Sequence, residues 1–148
     1  MFGLPLNLSY ATAKGGVIGM ARSLATAGVE HGIRVNCIAP AASTRMAGPC
    51  GDDAGPHDPM APELVAPMVA YLCHEDCPVT GEIYVAGAGR FARMFLATTP
   101  GVVLDGGDDR PPSVEDVAAN FVAIGDESAY TVPRDLEDWS ATFLSHLE

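Results

Sequence analysis

The sequence predicts an α/β fold built on a parallel sheet covered on both faces, and three stretches predict it. Residues 10–27 read as one long helix, dense in small side chains, with Gly28 as a plausible terminator. Ile33–Ile38 is a short, nearly continuous apolar run, the pattern of a strand in a sheet buried by helices on either side. Ile83–Val85 is a second short strand, and the helical stretch Pro62–Cys73 stands between the two.

Each element has its own local reason. In the first helix Ala11, Gly15, Gly19 and Ala25 make one face small enough for a second helix to approach closely. A glycine inside a helix costs roughly 1 kcal/mol relative to alanine, so this density implies a packing reason. The alternative is a helix buried within its own domain. The residues just past the first strand, Pro40 to Met46, occupy the place where ligands bind in open α/β sheets. Arg45 there can meet an anionic ligand, or it is a solvated loop arginine. Residues 47–61 are rich in Gly, Pro and Asp and read as a loop, either a lid or a plain connector.

The second helix, Pro62–Cys73, has proline at its first position and Leu64, Val65, Met68, Val69 and Leu72 as apolar positions. Pro67 either kinks it or marks its true start. The last strand ends at Gly87–Gly89. Beyond it, Ser113 and Asp116 predict a helix cap followed by Val117, Phe121 and Ile124 on one face, and Trp139, Phe143 and Leu144 suit a second short docking helix. Two parts are expected: an α/β unit over residues 1–95 and an acidic extension over residues 96–148.

Composition narrows the function classes. The 148 residues are 48% hydrophobic with a net charge of −11, unevenly spread. Residues 1–45 hold Lys14, Arg22, Arg34 and Arg45 against Glu30, which is +3, while residues 46–100 carry −5 and residues 101–148 carry −9. Such an acidic surface argues against nucleic acid and anionic membrane as partners. The basic first third is where an anionic ligand would approach. No apolar stretch is long enough to span a bilayer and no leader is recognisable, so a cytoplasmic protein is expected. Four cysteines suit reduced thiols rather than a disulfide framework, with Cys37 as a small core residue. Cys73, His74 and Cys77 lack a fourth ligand at zinc spacing, so no metal is expected, and the segment reads as a helix end running into a turn at Pro78. His31 and His57 read as solvated loop residues.

The residues that carry chemistry are Tyr10 and Lys14, the latter the only lysine in the chain. At i and i+4 on a helix they share a face, and the ammonium favours the phenolate form of the phenol, which suits proton transfer. By itself the pair is a weak motif. Its surroundings are specific: Tyr10-Ala11-Thr12-Ala13-Lys14, then Gly15-Gly16-Val17-Ile18-Gly19, then Gly32-Ile33-Arg34-Val35-Asn36-Cys37-Ile38-Ala39-Pro40. In order and spacing this resembles the short-chain dehydrogenase/reductase family. Pro62-Glu63-Leu64-Val65-Ala66-Pro67 and Thr80-Gly81-Glu82-Ile83-Tyr84-Val85-Ala86-Gly87 narrow the resemblance to the (3R)-hydroxyacyl-CoA dehydrogenase modules of multifunctional β-oxidation enzymes and their bacterial relatives. The likeness covers roughly residues 1–95 and weakens through the tail.

What the resemblance implies is a Rossmann-like, doubly wound parallel sheet and hydride exchange between NAD or NADP and a secondary alcohol or ketone, with an acyl-CoA as the expected substrate. It implies Tyr10 as general acid/base and Lys14 as holder of the nicotinamide ribose. Pro40 and Thr44 are implied near the cofactor, although this chain has Pro-Ala where many members have Pro-Gly, and Thr44 comes one residue early. It also implies a homo-oligomer formed through the Tyr10 helix. The strand, glycine-rich turn and helix that receive a dinucleotide are not found in these residues, since neither Gly15-Gly16 nor Gly87-Ala88-Gly89 stands at such a turn. The family's catalytic serine lies about a dozen residues before the tyrosine, and only nine residues precede Tyr10; Ser9 is not its equivalent. The expectation is therefore a C-terminal portion with the nucleotide-binding half absent and little activity alone. The alternatives are a non-catalytic remnant or oligomerisation partner, and, among enzymes, a 3-oxoacyl carrier protein reductase.

Overall fold

The computed structural model describes residues 5–43, 58–105 and 110–147, and its contacts divide the chain into two compact units, Met1–Phe95 and Leu96–Glu148. The first unit opens with helix α1, Leu8–Gly28, and a 3₁₀ turn, Val29–His31, follows it. The α-helix ends at Gly28, where the sequence places its terminator, although Gly28 is not the left-handed cap. Its backbone stays right-handed, and the left-handed terminator is Gly32 at φ 66°, whose N–H bonds the Val29 carbonyl. Gly28 is needed for a different reason: a Cβ there would lie 2.6 Å from the Ile33 carbonyl oxygen.

Strand β1 spans Cys37–Pro40, shorter and later than the Ile33–Ile38 run predicts. Ile33 is 55% exposed and gives its N–H to Gly28. Val35 N–H donates to the Thr80 hydroxyl at 3.0 Å, and the Asn36 amide donates to the Val79 carbonyl at 2.9 Å. The Asn36 side-chain oxygen also accepts from Glu82 N–H. These side-chain bonds share the strand's approach with one backbone bond, from Gly81 N–H to the Val35 carbonyl at 2.7 Å, and the regular strand begins at Cys37.

A 3₁₀ turn over Pro62–Leu64 leads into helix α2, Ala66–Leu72, so Pro67 falls in the first turn of the α-helix and marks its start. The Arg34 guanidinium donates to the carbonyls of His74 and Glu75 and caps the segment that follows α2. Strand β2, Ile83–Gly87, pairs in parallel with β1 in the register Cys37 with Ile83 and Pro40 with Ala86. The sheet order is β1-β2-β3. Strand β3, Arg90–Met94, was not foreseen: Gly87–Gly89 turns the chain back, and β3 runs antiparallel to β2 with Arg93 paired to Glu82. The sheet is consequently mixed rather than purely parallel.

Among the described residues the buried apolar ones all lie in this unit and are mostly small: Ile18, Ala21, Ala25, Val65, Cys77, Ile83 and Ala86. Cys77 is enclosed, whereas Cys37 is only partly buried, which still pushes its thiol pKa up. Cys73 is exposed, and His31 is exposed in the 3₁₀ turn; His57 lies outside the described residues.

In the second unit α3, Val114–Ile124, starts at a complete capping box, with Ser113 accepting from Asp116 N–H while Asp116 accepts from Ser113 N–H. Helix α4, Leu136–Phe143, is capped by Asp135, and Trp139 stacks on Phe143 with ring centroids 4.9 Å apart. Thr98 and Thr131 exchange two backbone hydrogen bonds of 2.9 Å and tie the start of the unit to the connection between α3 and α4.

Candidate active site

Helix α1 carries one continuous stripe, spaced at three and four residues: Tyr10, Lys14, Ile18, Ala21, Ala25 and Gly28. The last four are buried, and the first two are exposed. Gly28 packs on Ile33, and Gly81 lies against the Ala25 methyl, so the C-terminal end of α1 is anchored where the strands begin. At 1.5 Å per residue Lys14 stands about 16 Å and Tyr10 about 22 Å along the axis from Ala25.

The two side chains meet. The Lys14 ammonium sits 5.5 Å from the centroid of the Tyr10 ring, in cation–π contact, and Tyr10 remains 47% exposed. Neither group has a carboxylate partner among the described residues, so the phenol hydroxyl and the ammonium are both available to a ligand. Pro40 closes β1 at the sheet edge where ligands bind, and Ala41 N–H continues the ladder by bonding Ala86 at 2.9 Å. Gly87 is pressed onto the Ala41 carbonyl, with no room for a Cβ. Thr44 and Arg45, expected beside the cofactor or an anion, lie outside the described residues. Sequence reasoning assigned no role to Arg34, Asn36 and Thr80, which brace the base of this sheet; their polarity amid apolar residues was the available signal.

The face of α1 made of Gly15, Gly16 and Gly19 is open, with nothing within 4 Å of where a Cβ would stand. Ala25, placed with Ala11, Gly15 and Gly19 from sequence, is instead buried against Gly81. Val17, Met20 and Leu24 are exposed on the same helix.

A family described as enoyl-(acyl carrier protein) reductase matches residues 2–90, which hold the Tyr10–Lys14 helix and the parallel strands β1 and β2. The chain belongs to the short-chain dehydrogenase/reductase family. A short-chain type dehydrogenase/reductase of Mycobacterium tuberculosis is 39% identical over 130 residues, covering 86% of this chain and 43% of that protein. The peroxisomal multifunctional enzyme type 2 of Drosophila melanogaster is 32% identical over 142 residues, 96% of this chain and 24% of the enzyme. The solved structure of the full-length Drosophila enzyme superposes with a TM-score of 0.78 at 31% identity, over 95% of this chain and 25% of that one. A short-chain dehydrogenase from Mycobacterium avium superposes with a TM-score of 0.58 at 27% identity, over 79% and 38% of the two chains. The chain thus spans less than half the length of each of these relatives. The Rossmann-like character expected of residues 1–95 holds, with the antiparallel β3 added at its edge. No helix among the described residues is long and apolar enough to cross a membrane.

Proposed function

We propose that this chain carries the proton-transfer part of a nicotinamide-dependent dehydrogenase acting on a 3-hydroxyacyl thioester, of which acyl-CoA is the foremost candidate. The observation that carries the reading is the Tyr10–Lys14 contact on the exposed end of a stripe whose remainder is buried. In the oxidative direction the Tyr10 phenolate oxygen takes the proton from the substrate hydroxyl; in reduction it returns that proton to the ketone oxygen. Lys14 holds its charge against the Tyr10 ring and offers N–H donors to ribose hydroxyls. The bound nicotinamide supplies or accepts the hydride. The residues present suit its ribose end and not its pyrophosphate. Gly15, Gly16 and Gly19 lie inside α1, and Gly87 and Gly89 form a hairpin, so none of them makes a strand-to-helix phosphate turn.

The choice of NAD or NADP belongs to residues other than these. A soluble location is in keeping with the acidic surface, and cytoplasm is our proposed compartment; the Drosophila relative is named a peroxisomal enzyme. The open glycines and the exposed Val17, Met20 and Leu24 support self-association through α1.

The test joins this chain to the preceding segment of the M. tuberculosis relative and assays oxidation of a 3-hydroxyacyl-CoA. We expect the hybrid to turn over and the 148-residue chain alone to be nearly inactive. Turnover by the chain alone at an enzyme-like rate would overturn the division of labour. An inert but folded hybrid would instead favour a non-catalytic oligomerisation partner.

A further inference from the structure

We infer that Asn36 is a positioning residue for the Tyr10–Lys14 pair, acting through the turn Val79–Glu82 on which the buried end of α1 rests. This role rests on the dehydrogenase reading above. Asn36 is half-buried, and its side chain spans the turn: the amide donates to the Val79 carbonyl at 2.9 Å, and the oxygen accepts from Glu82 N–H at 3.2 Å. Val35 N–H donates to the Thr80 hydroxyl at 3.0 Å, and Gly81 N–H donates to the Val35 carbonyl at 2.7 Å. Each of the turn's four residues is thus tied to Val35 or Asn36.

Gly81, at φ 76°, is where α1 meets that turn. A Cβ placed on it would lie 3.5 Å from the methyl of Ala25, which is 3% exposed. The other close approach at this end of the helix, Gly28 on Ile33, joins residues only five apart and moves with α1. The Gly81 contact, by comparison, ties the helix to the sheet. A helix turns a small error at one end into a large one at the other. Tyr10 stands about 22 Å along the axis from Ala25, so a tilt of about 3° displaces it by about 1 Å. A misplacement of that size can cost about 10²-fold in rate. Asn36 lies at the end of α1 away from the reacting groups, so its influence on rate must pass through α1 or along β1 to Pro40.

The test separates those two routes. The hybrid with the M. tuberculosis segment is assayed unchanged, as Asn36→Ala, as Tyr10→Phe and as the double variant. Asn36→Ala should lower kcat and kcat/KM together by about 10–10²-fold. The double variant should be slower than Tyr10→Phe by no more than about threefold, because displacing the ring costs little once its hydroxyl is gone. An equal loss in both backgrounds would overturn the assignment, since Asn36 would then act along β1 or on the fold at large. An unchanged rate in Asn36→Ala, or a rise in KM alone, would overturn it too. If Asn36→Ala fails to fold by circular dichroism, Asn36→Asp takes its place in the same comparison; it keeps the bond from Glu82 N–H and cannot donate to Val79. Loss of the fold in both variants would make Asn36 a residue of stability alone and overturn its positioning role. An inert hybrid, or one in which Tyr10→Phe is as fast as the unchanged protein, overturns the dehydrogenase reading itself and this role with it.

Discussion

Tyr10 and Lys14 touch because they are one helical turn apart, and that contact asks nothing of the rest of the chain. In the active hybrid, Tyr10→Phe keeps the ring and removes the proton carrier, so kcat/KM should fall by about 10²–10⁴-fold, the range of general acid–base catalysis. An unchanged pH–rate profile in that variant would dismiss the phenol as the acid/base. At the same scale, Arg110 beside Asp116, together with the Ser113 backbone and hydroxyl, lowers the Asp116 carboxyl to about 2, against about 3.9 for an unperturbed aspartate. A carboxyl depressed in the folded state stabilises at pH above its unfolded value, and the benefit disappears as pH falls through the folded value. Helicity of the second unit should therefore decline between about pH 4 and 2. Asp116→Asn should flatten that decline, and Ser113→Ala should cost about 1 kcal/mol through the lost cap; both are read by circular dichroism.

At the scale of elements, the β2–β3 hairpin turns on Ala88 and Gly89, both with positive φ, at 50° and 71°. That is the backbone a tight hairpin needs, and alanine pays for it where glycine does not. Ala88→Gly should leave stability unchanged or raise it by up to about 1 kcal/mol. Gly87→Ala, one residue earlier, should destabilise by about 2–4 kcal/mol, since its Cβ would strike the Ala41 carbonyl. Thermal melts of the two variants would move in opposite directions or by plainly different amounts; equal losses would refute the close approach. This hairpin was hard to read in the sequence. Ala-Gly is a poor turn signal compared with Asn-Gly, and two arginines in Arg90–Met94 break the apolar pattern of a strand.

For the whole molecule, the exposed apolar residues of α1 are the clearest uncovered surface of the first unit. If copies associate there, Met20→Glu with Leu24→Glu should shift sedimentation toward a monomer, the secondary structure being retained; unchanged sedimentation of an oligomer would place the interface elsewhere. The two units differ in how they are held. Among the described residues the first has a small core of seven buried apolar residues, whereas none of the second is buried. That unit relies on helix caps, the Thr98–Thr131 bridge and aromatic stacking.

Features that depend on near neighbours were legible in the amino-acid order alone. The Tyr10–Lys14 pairing, the long first helix and the Ser113–Asp116 cap all arise from contacts spanning at most four residues, where spacing and side-chain chemistry suffice. Only the tertiary structure decided where β1 begins and which face of α1 is buried. The Asn36 side chain bonds Val79 and Glu82 and Val35 N–H bonds Thr80, all more than forty residues away, and the regular strand follows at Cys37. Ala25 left the small-residue face because Gly81 offered it a place against the base of the sheet. Both outcomes rest on partners distant along the chain, and a one-dimensional pattern holds no record of who those partners are.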